Sequence, residues 1–197
     1  MRPASEPTSP LEIVAIAGSL RTSSWARALL RAVSDRLPVG VRLTIWDGLG
    51  SVPPFNEDLE SGPPPSAVAD MRALIERSDV LLIATPEYNA SMPGFLKNAL
   101  DWASRPYGSS VLTGKPVAAV GTSPLPTGGA SALSDLQRLL TLIGAKVVEA
   151  ELAIAQVHTR IDPEGRIADP ELAERVTRLL IKVTEHAAAR RPALARA

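Results

Sequence analysis

The sequence predicts one α/β domain with helices on both faces of a parallel sheet, and three observations carry that prediction. Short runs of Ile, Val, Leu and Ala alternate with longer amphipathic stretches, which is the pattern of successive βα units. The clearest run, Asp79-Val80-Leu81-Leu82-Ile83-Ala84, is apolar throughout after its first residue, as a strand covered on both faces must be. The chain has 197 residues, which suits one domain able to bury roughly 70% of its unfolded surface without a metal or disulfide staple.

The elements follow in order. Leu11–Ala17, rich in Ile and Val, reads as the first strand, and residues 25–36 as a helix with Leu29, Leu30 and Val33 on one face. Val41–Trp46 alternates as a second strand, residues 79–84 form the third, and 117–121 and 145–148 supply the fourth and fifth. Helices are expected over Ser66–Arg77, 93–104, 129–143 and 170–188, where apolar positions recur at helical spacing. Right-handed crossovers then give a flavodoxin-like three-layer α/β/α sandwich, a five-stranded parallel sheet in the order 2-1-3-4-5. Ligands of such sheets bind beyond the carboxyl ends of the strands, where the first and third strands diverge. The connection 47–65, with Pro53, Pro54 and Pro63-Pro64-Pro65, far exceeds the roughly two to six residues of a usual βα loop and is either functional or slack. Residues 1–10 and 189–197, rich in Pro, Ser, Ala and Arg, read as flexible tails around a domain at 11–188.

Composition narrows the function. With 21 basic and 21 acidic residues there is no net field to recruit nucleic acid or an anionic membrane. The absence of cysteine removes thiolate catalysis, iron–sulfur clusters and disulfides, so any redox chemistry must come from an organic cofactor. The two histidines, His158 and His186, have no second ligand at metal-like spacing, and both read as ordinary surface or helix residues. No run of about 18 apolar residues and no secretory leader is evident, so the expectation is a cytoplasmic protein.

Directly after the first strand comes Gly18-Ser19-Leu20-Arg21-Thr22-Ser23-Ser24, and then a helix begins. Free N–H groups and the positive dipole end at a helix start bind phosphate, and Ser19, Thr22, Ser23, Ser24 and Arg21 add donors and charge. An isolated Ser/Thr cluster serves equally well as a helix cap, but its place at the end of strand one favours the phosphate. Two other phosphate loops are excluded: Gly114-Lys115 is followed by Pro116 rather than Ser or Thr, and Gly18 stands without its companion glycines. Asp47, lacking those glycines, reads as a turn residue rather than a ribose ligand. A hydroxyl-rich loop suits a single terminal phosphate, as in FMN.

Strand three runs into Pro86-Glu87-Tyr88-Asn89, followed by Pro93-Gly94-Phe95-Leu96-Lys97-Asn98-Ala99-Leu100-Asp101-Trp102. Pro93 fits the first turn of a helix. On these residues the chain resembles the NADPH-dependent FMN reductase family, within it the quinone and chromate reductases, over roughly residues 11–180. The resemblance implies bound FMN, NADPH or NADH as co-substrate, and flavin, quinone or similar small-molecule acceptors, with chromate and azo compounds among them. It implies that Ser19, Arg21 and Ser24 hold the phosphate beside Leu20, Trp25 and Ala26. Pro86, Glu87, Tyr88 and Asn89 would line the flavin ring largely through backbone groups, and Ser123 and Gly128 would belong to a third flavin loop. Pro54-Phe55-Asn56-Glu57-Asp58-Leu59 looks like the family's second loop. Ala26 departs from the pattern, standing where many members carry asparagine, which removes one side-chain contact to the phosphate.

No Ser-His-Asp or Cys-His set is present, and no side-chain acid or base is expected, because the flavin carries the chemistry. Tyr88 is either a ring or acceptor contact or a surface anchor of its loop, and Glu87 is expected to pair with an arginine. Lys97, Asn98 and Asp101 are expected to stabilise their helix. Trp102, Arg105 and Tyr107 belong either to a subunit interface, the resemblance implying a homodimer or homotetramer, or, for Trp102, to the core. The alternative functions are a flavodoxin-type electron carrier, which normally shows an acidic face, and a flavin-binding module without turnover.

Overall fold

The computed structural model describes residues 9–149, 152–162 and 164–194. Strands β1 (Leu11–Ala17), β2 (Val41–Trp46), β3 (Val80–Pro86), β4 (Pro116–Thr122), β5 (Lys146–Val147) and β6 (Leu152–Ile154) form one parallel sheet. Its order is β2-β1-β3-β4-β5, with β6 also pairing β4. The expected order therefore stands, but the fifth position is shared by two short strands. β5 pairs with Pro116 and Val117, and β6 pairs with Val120 to Thr122 farther along the same edge. β6 escaped the sequence reading because three residues show no periodicity; Leu152 and Ile154 are buried, so its pairing is fixed from outside the segment.

Side chains alternate between two apolar layers, as the pleat requires. Ile13, Ala15, Leu82, Ala84 and Val120 face α1 (Trp25–Ser34) and α6 (Pro170–Leu194). Val14, Ile16, Leu81, Ile83 and Ala119 face α2 (Ser66–Arg77), α3 (Gly94–Ala103) and α4 (Ala130–Leu142). A single turn of helix, α5 (Val157–Arg160), follows β6.

The long connection after β2 is held rather than slack. It forms two 3₁₀ turns, Gly48–Ser51 and Glu57–Ser61. Asn98 of α3 accepts from the Phe55 N–H at 2.7 Å and donates to the Pro53 carbonyl at 2.9 Å, and the Trp102 indole N–H reaches the same carbonyl at 2.9 Å. Phe55 meets Trp102 edge-on with ring centroids 5.0 Å apart. Trp102 is 1% exposed, so it is a core residue of its own chain and is withdrawn from the expected interface. Lys97 and Asp101 make a one-turn ion pair at 2.6 Å, in keeping with their expected role in stabilising the helix.

At the opposite edge α6 continues through Leu194, past its expected end at 188, although Pro192 removes one helical donor. The extension has a partner: the Arg191 guanidinium donates to both carboxylate oxygens of Asp79 at 2.9 and 2.7 Å and to the carbonyls of Ser9, at 2.7 Å, and Pro10. Asp79 also accepts from the Glu12 N–H at 2.8 Å. Burial pulls the Asp79 carboxyl upward, but the Arg191 and Glu12 hydrogen bonds outweigh it and hold the group below its usual range.

Lys115, 1% exposed, lies beside this cluster and donates to the carbonyls of Ser78 and Glu76 at 2.5 and 3.2 Å. Burial, aided by Arg190 and opposed by Asp79 and Glu76, lowers its ammonium to about 8 from 10.5. Between those values the unfolded chain holds a proton that the folded chain has released, so stability rises with pH there. Urea denaturation of the wild type and Lys115→Met across this range should show that rise only in the wild type. Parallel curves would remove Lys115 as its source.

Candidate functional site

Three loops leave the sheet at the carboxyl ends of β1, β3 and β4 and enclose a cavity of about 210 Å³. It is lined by Ser19, Arg21, Ser24, Trp25 and Ala26 after β1, by Pro86, Glu87 and Tyr88 after β3, and by Thr122, Ser123, Pro124 and Leu125 after β4. Leu20, Asn89 and Gly128, expected at the site, do not line it. Leu20 and Asn89 are exposed, and Gly128 is buried against residues 153–155. Thr122, Pro124 and Leu125 were missed, although adjacency to Ser123 was a usable signal.

The first loop folds tightly. The Gly18 N–H extends the β1–β3 ladder to the Ala84 carbonyl at 2.7 Å, and a Cβ at Gly18 would meet Leu96 Cδ2 at 2.8 Å. Ser19 Oγ accepts from the Arg21 N–H at 3.4 Å. Ser24 is the N-cap residue of α1, but its hydroxyl makes no capping hydrogen bond. Ser19 and Ser24 are nevertheless buried, at 4% and 6% exposure. Buried serines beside an uncapped helix start, with the exposed Arg21 at the rim, make a donor-rich, positively polarised cradle. These residues fit a phosphate monoester, so the cap explanation of the hydroxyl cluster does not hold for Ser24. Ala26, fully buried, contributes no side-chain donor.

The second loop is clasped to the third. Among the described residues Glu87 pairs with no arginine; its Oε2 accepts from the backbone N–H groups of Ser131 and Ala132 at 3.0 and 3.2 Å, filling the start of α4. Tyr88 and Ser91 exchange backbone hydrogen bonds at 2.9 and 3.1 Å around Asn89 and Ala90, which are left-handed with φ of 52° and 59°. Tyr88 is 42% exposed at the cavity. In the third loop Ser123 Oγ accepts from the Leu125 N–H at 3.1 Å, and the Ser123 carbonyl accepts from the Val157 N–H at 3.1 Å.

Charge elsewhere is used structurally. Asp47 pairs with Arg27 at 2.6 Å and precedes a 3₁₀ turn, in keeping with its reading as a turn residue. Among the described residues no group of three His, Asp or Glu side chains is placed to hold a metal, and His186 contacts the Lys182 carbonyl at 2.8 Å. Among the same residues no helix is long and apolar enough to cross a membrane.

A 2-1-3-4-5 parallel sheet whose first and third loops meet over a helix-start anion cradle defines a flavodoxin-like nucleotide site. Within that class, residues 11–159 match the family model of the NADPH-dependent FMN reductases, and the chain belongs to that family. It is 43% identical over 158 residues to a quinone reductase of Pseudomonas putida, covering 80% of this chain and 84% of the relative. It is 40% identical over 162 residues to a 2-hydroxy-1,4-benzoquinone reductase of a Burkholderia species, covering 82% and 87%. The solved structure of FerB, a flavoenzyme NAD(P)H:(acceptor) oxidoreductase from Paracoccus denitrificans, superposes with a TM-score of 0.83 at 31% identity, covering 91% of this chain and 98% of that one.

Gly128 has φ of +65°, and a Cβ there would meet the Ala155 amide nitrogen at 2.9 Å. Gly128→Ala should therefore lower unfolding stability by about 1–3 kcal/mol. A denaturation midpoint equal to that of the wild type would show that the loop has room this geometry denies it.

Proposed function

We propose that this chain is an FMN-dependent oxidoreductase that carries electrons from NADPH or NADH to quinones, free flavin or similar small acceptors. The observation that carries the reading is the α1 cradle, where two buried serines and Arg21 line the cavity beside an uncapped helix start. FMN, when bound, supplies the redox chemistry, taking hydride from the nicotinamide and handing two electrons to the acceptor.

In this reading Ser19, Arg21, Ser24 and the N–H groups at the start of α1 fix the phosphate. Pro86, Glu87 and Tyr88 line the flavin ring through backbone atoms, with Asn89 shaping the turn beside them, and Ser123 approaches from the β4 side. Thr122, Pro124 and Leu125 join that wall. The chain's work is to orient the ring, exclude water from one face and leave the other open, for which no side-chain acid or base is required. The names of the quinone-reducing relatives support quinones as acceptors, and chromate and azo compounds are further candidates. The electron-carrier alternative is not favoured, since equal numbers of acidic and basic residues give the chain no overall acidic field to guide a protein partner. We place the enzyme in the cytoplasm as a homodimer or homotetramer. Tyr107, 91% exposed, supports an interface near the end of α3.

The test is anaerobic stopped-flow mixing of FMN-loaded protein with NADPH or NADH, followed by a quinone. Bleaching of the flavin and its quinone-dependent return are expected, and a flavin left oxidised by both nicotinamides would refute the reading. Arg21→Ala should weaken FMN binding by about 1.5–3 kcal/mol, the worth of a charge-assisted hydrogen bond, as read by quenching of flavin fluorescence. Unchanged affinity would remove Arg21 from the site.

A further inference from the structure

The turn that carries Tyr88 is tied to α4 at both of its ends. On the entry side Glu87 Oε2 accepts from the Ser131 and Ala132 N–H groups at 3.0 and 3.2 Å. On the exit side the Ser91 hydroxyl donates to Asp135 Oδ2 at 2.8 Å. One tie takes the free N–H groups at the α4 start and the other a side chain one turn farther along the helix. Between them Asn89 and Ala90 are held left-handed, with φ of 52° and 59°, a conformation that a residue with a Cβ adopts only against a local penalty. Such a backbone persists where its surroundings over-determine it, and here the two ties to α4 add to the Tyr88–Ser91 backbone pair, bonded at 2.9 and 3.1 Å. Tyr88 lines the cavity, whereas Ser91 and Asp135 do not.

We propose that the Ser91–Asp135 and Glu87–α4 contacts form a two-point clasp that sets the Tyr88 turn, making Ser91 and Asp135 positioning residues for the electron acceptor. The acceptor part of this assignment rests on the function proposed above. The clasp itself depends only on hydrogen bonds within the chain. Glu87 fixes where the turn begins, and Ser91 fixes where it ends. A hydroxyl bound to a carboxylate is stronger than a neutral pair, so the exit tie holds against the preference of Ala90 for an ordinary backbone.

The test compares Ser91→Ala, Asp135→Ala, the double variant and Asp135→Asn with the wild type. Hydrogen exchange at the amides of residues 88 and 91, with and without FMN, reports the turn. Steady-state kinetics with a benzoquinone reports the acceptor. Ser91→Ala and Asp135→Ala should each speed exchange at both amides by about 10-fold. They should raise the quinone KM about 5-fold while kcat stays within about twofold. The double variant should match either single one, because both remove the same hydrogen bond. Asp135→Asn, whose amide oxygen still accepts, should restore exchange and KM toward wild type. Exchange unchanged in Ser91→Ala would overturn the clasp. Faster exchange with an unchanged quinone KM would overturn the positioning role. Should the wild type fail to turn over NAD(P)H while the exchange pattern follows expectation, the clasp is supported and the proposed function is what fails.

Discussion

Parallel pairing of β1 with β3 and of β3 with β4 aligns Ala17 with Ala84 and Pro86 with Thr122. Because β3 and β4 end level with each other and β1 ends two residues short of β3, the loops that follow them converge on one edge of the sheet, and the cavity exists only where they meet. The alignment is set by the core, since each strand alternates its Ile, Val, Leu and Ala side chains between the α1–α6 layer and the α2–α3–α4 layer. A slip of one residue would exchange the two layers for a whole strand, so the register that packs the core also builds the site. Gly18 and Gly121 complete the fit. A Cβ at Gly18 would strike Leu96, and one at Gly121 would strike the carbonyls of Gly128 and Gly129 at 3.0 and 2.9 Å.

Among the helices that begin at this edge, the chain treats α1 and α4 differently. Glu87 occupies the start of α4 with its own carboxylate, which satisfies two N–H groups and cancels the positive end of that dipole. The start of α1 receives no side-chain cap and keeps two buried serines and Arg21 beside it. An anionic ligand is therefore directed to one helix start of the two. The same carboxylate couples the β3 loop to the β4 loop, so the electrostatic choice and the shape of the cavity share one residue.

How far the sequence showed this depends on how local each signal is. The bounds of β1, β2 and α2 were read without error because their apolar periodicity lies within the segment itself. The phosphate loop and the Pro86-to-Tyr88 loop were legible from residue type and from position after a strand. β6 was not, since its three residues form a strand only through pairing with β4. Nor was the role of Glu87, whose partner Ser131 lies 44 residues away and offers only backbone N–H groups, which no side-chain pattern announces. Trp102 shows the converse failure. An aromatic residue beside Arg105 suggested an interface, yet the indole is consumed by Pro53 and Phe55 of its own chain. Similarly, the continuation of α6 rests on Arg191 reaching Asp79, a contact across 112 positions.

The account turns on the claim that the α1 start, with Ser19, Arg21 and Ser24, holds the phosphate of a flavin nucleotide. Comparing the affinities of FMN and riboflavin for the same protein by fluorescence titration isolates that phosphate, because the two ligands share the ring and the ribityl chain. FMN should bind at least about 100-fold more tightly, a difference of about 2.7 kcal/mol. Equal affinities would contradict the account.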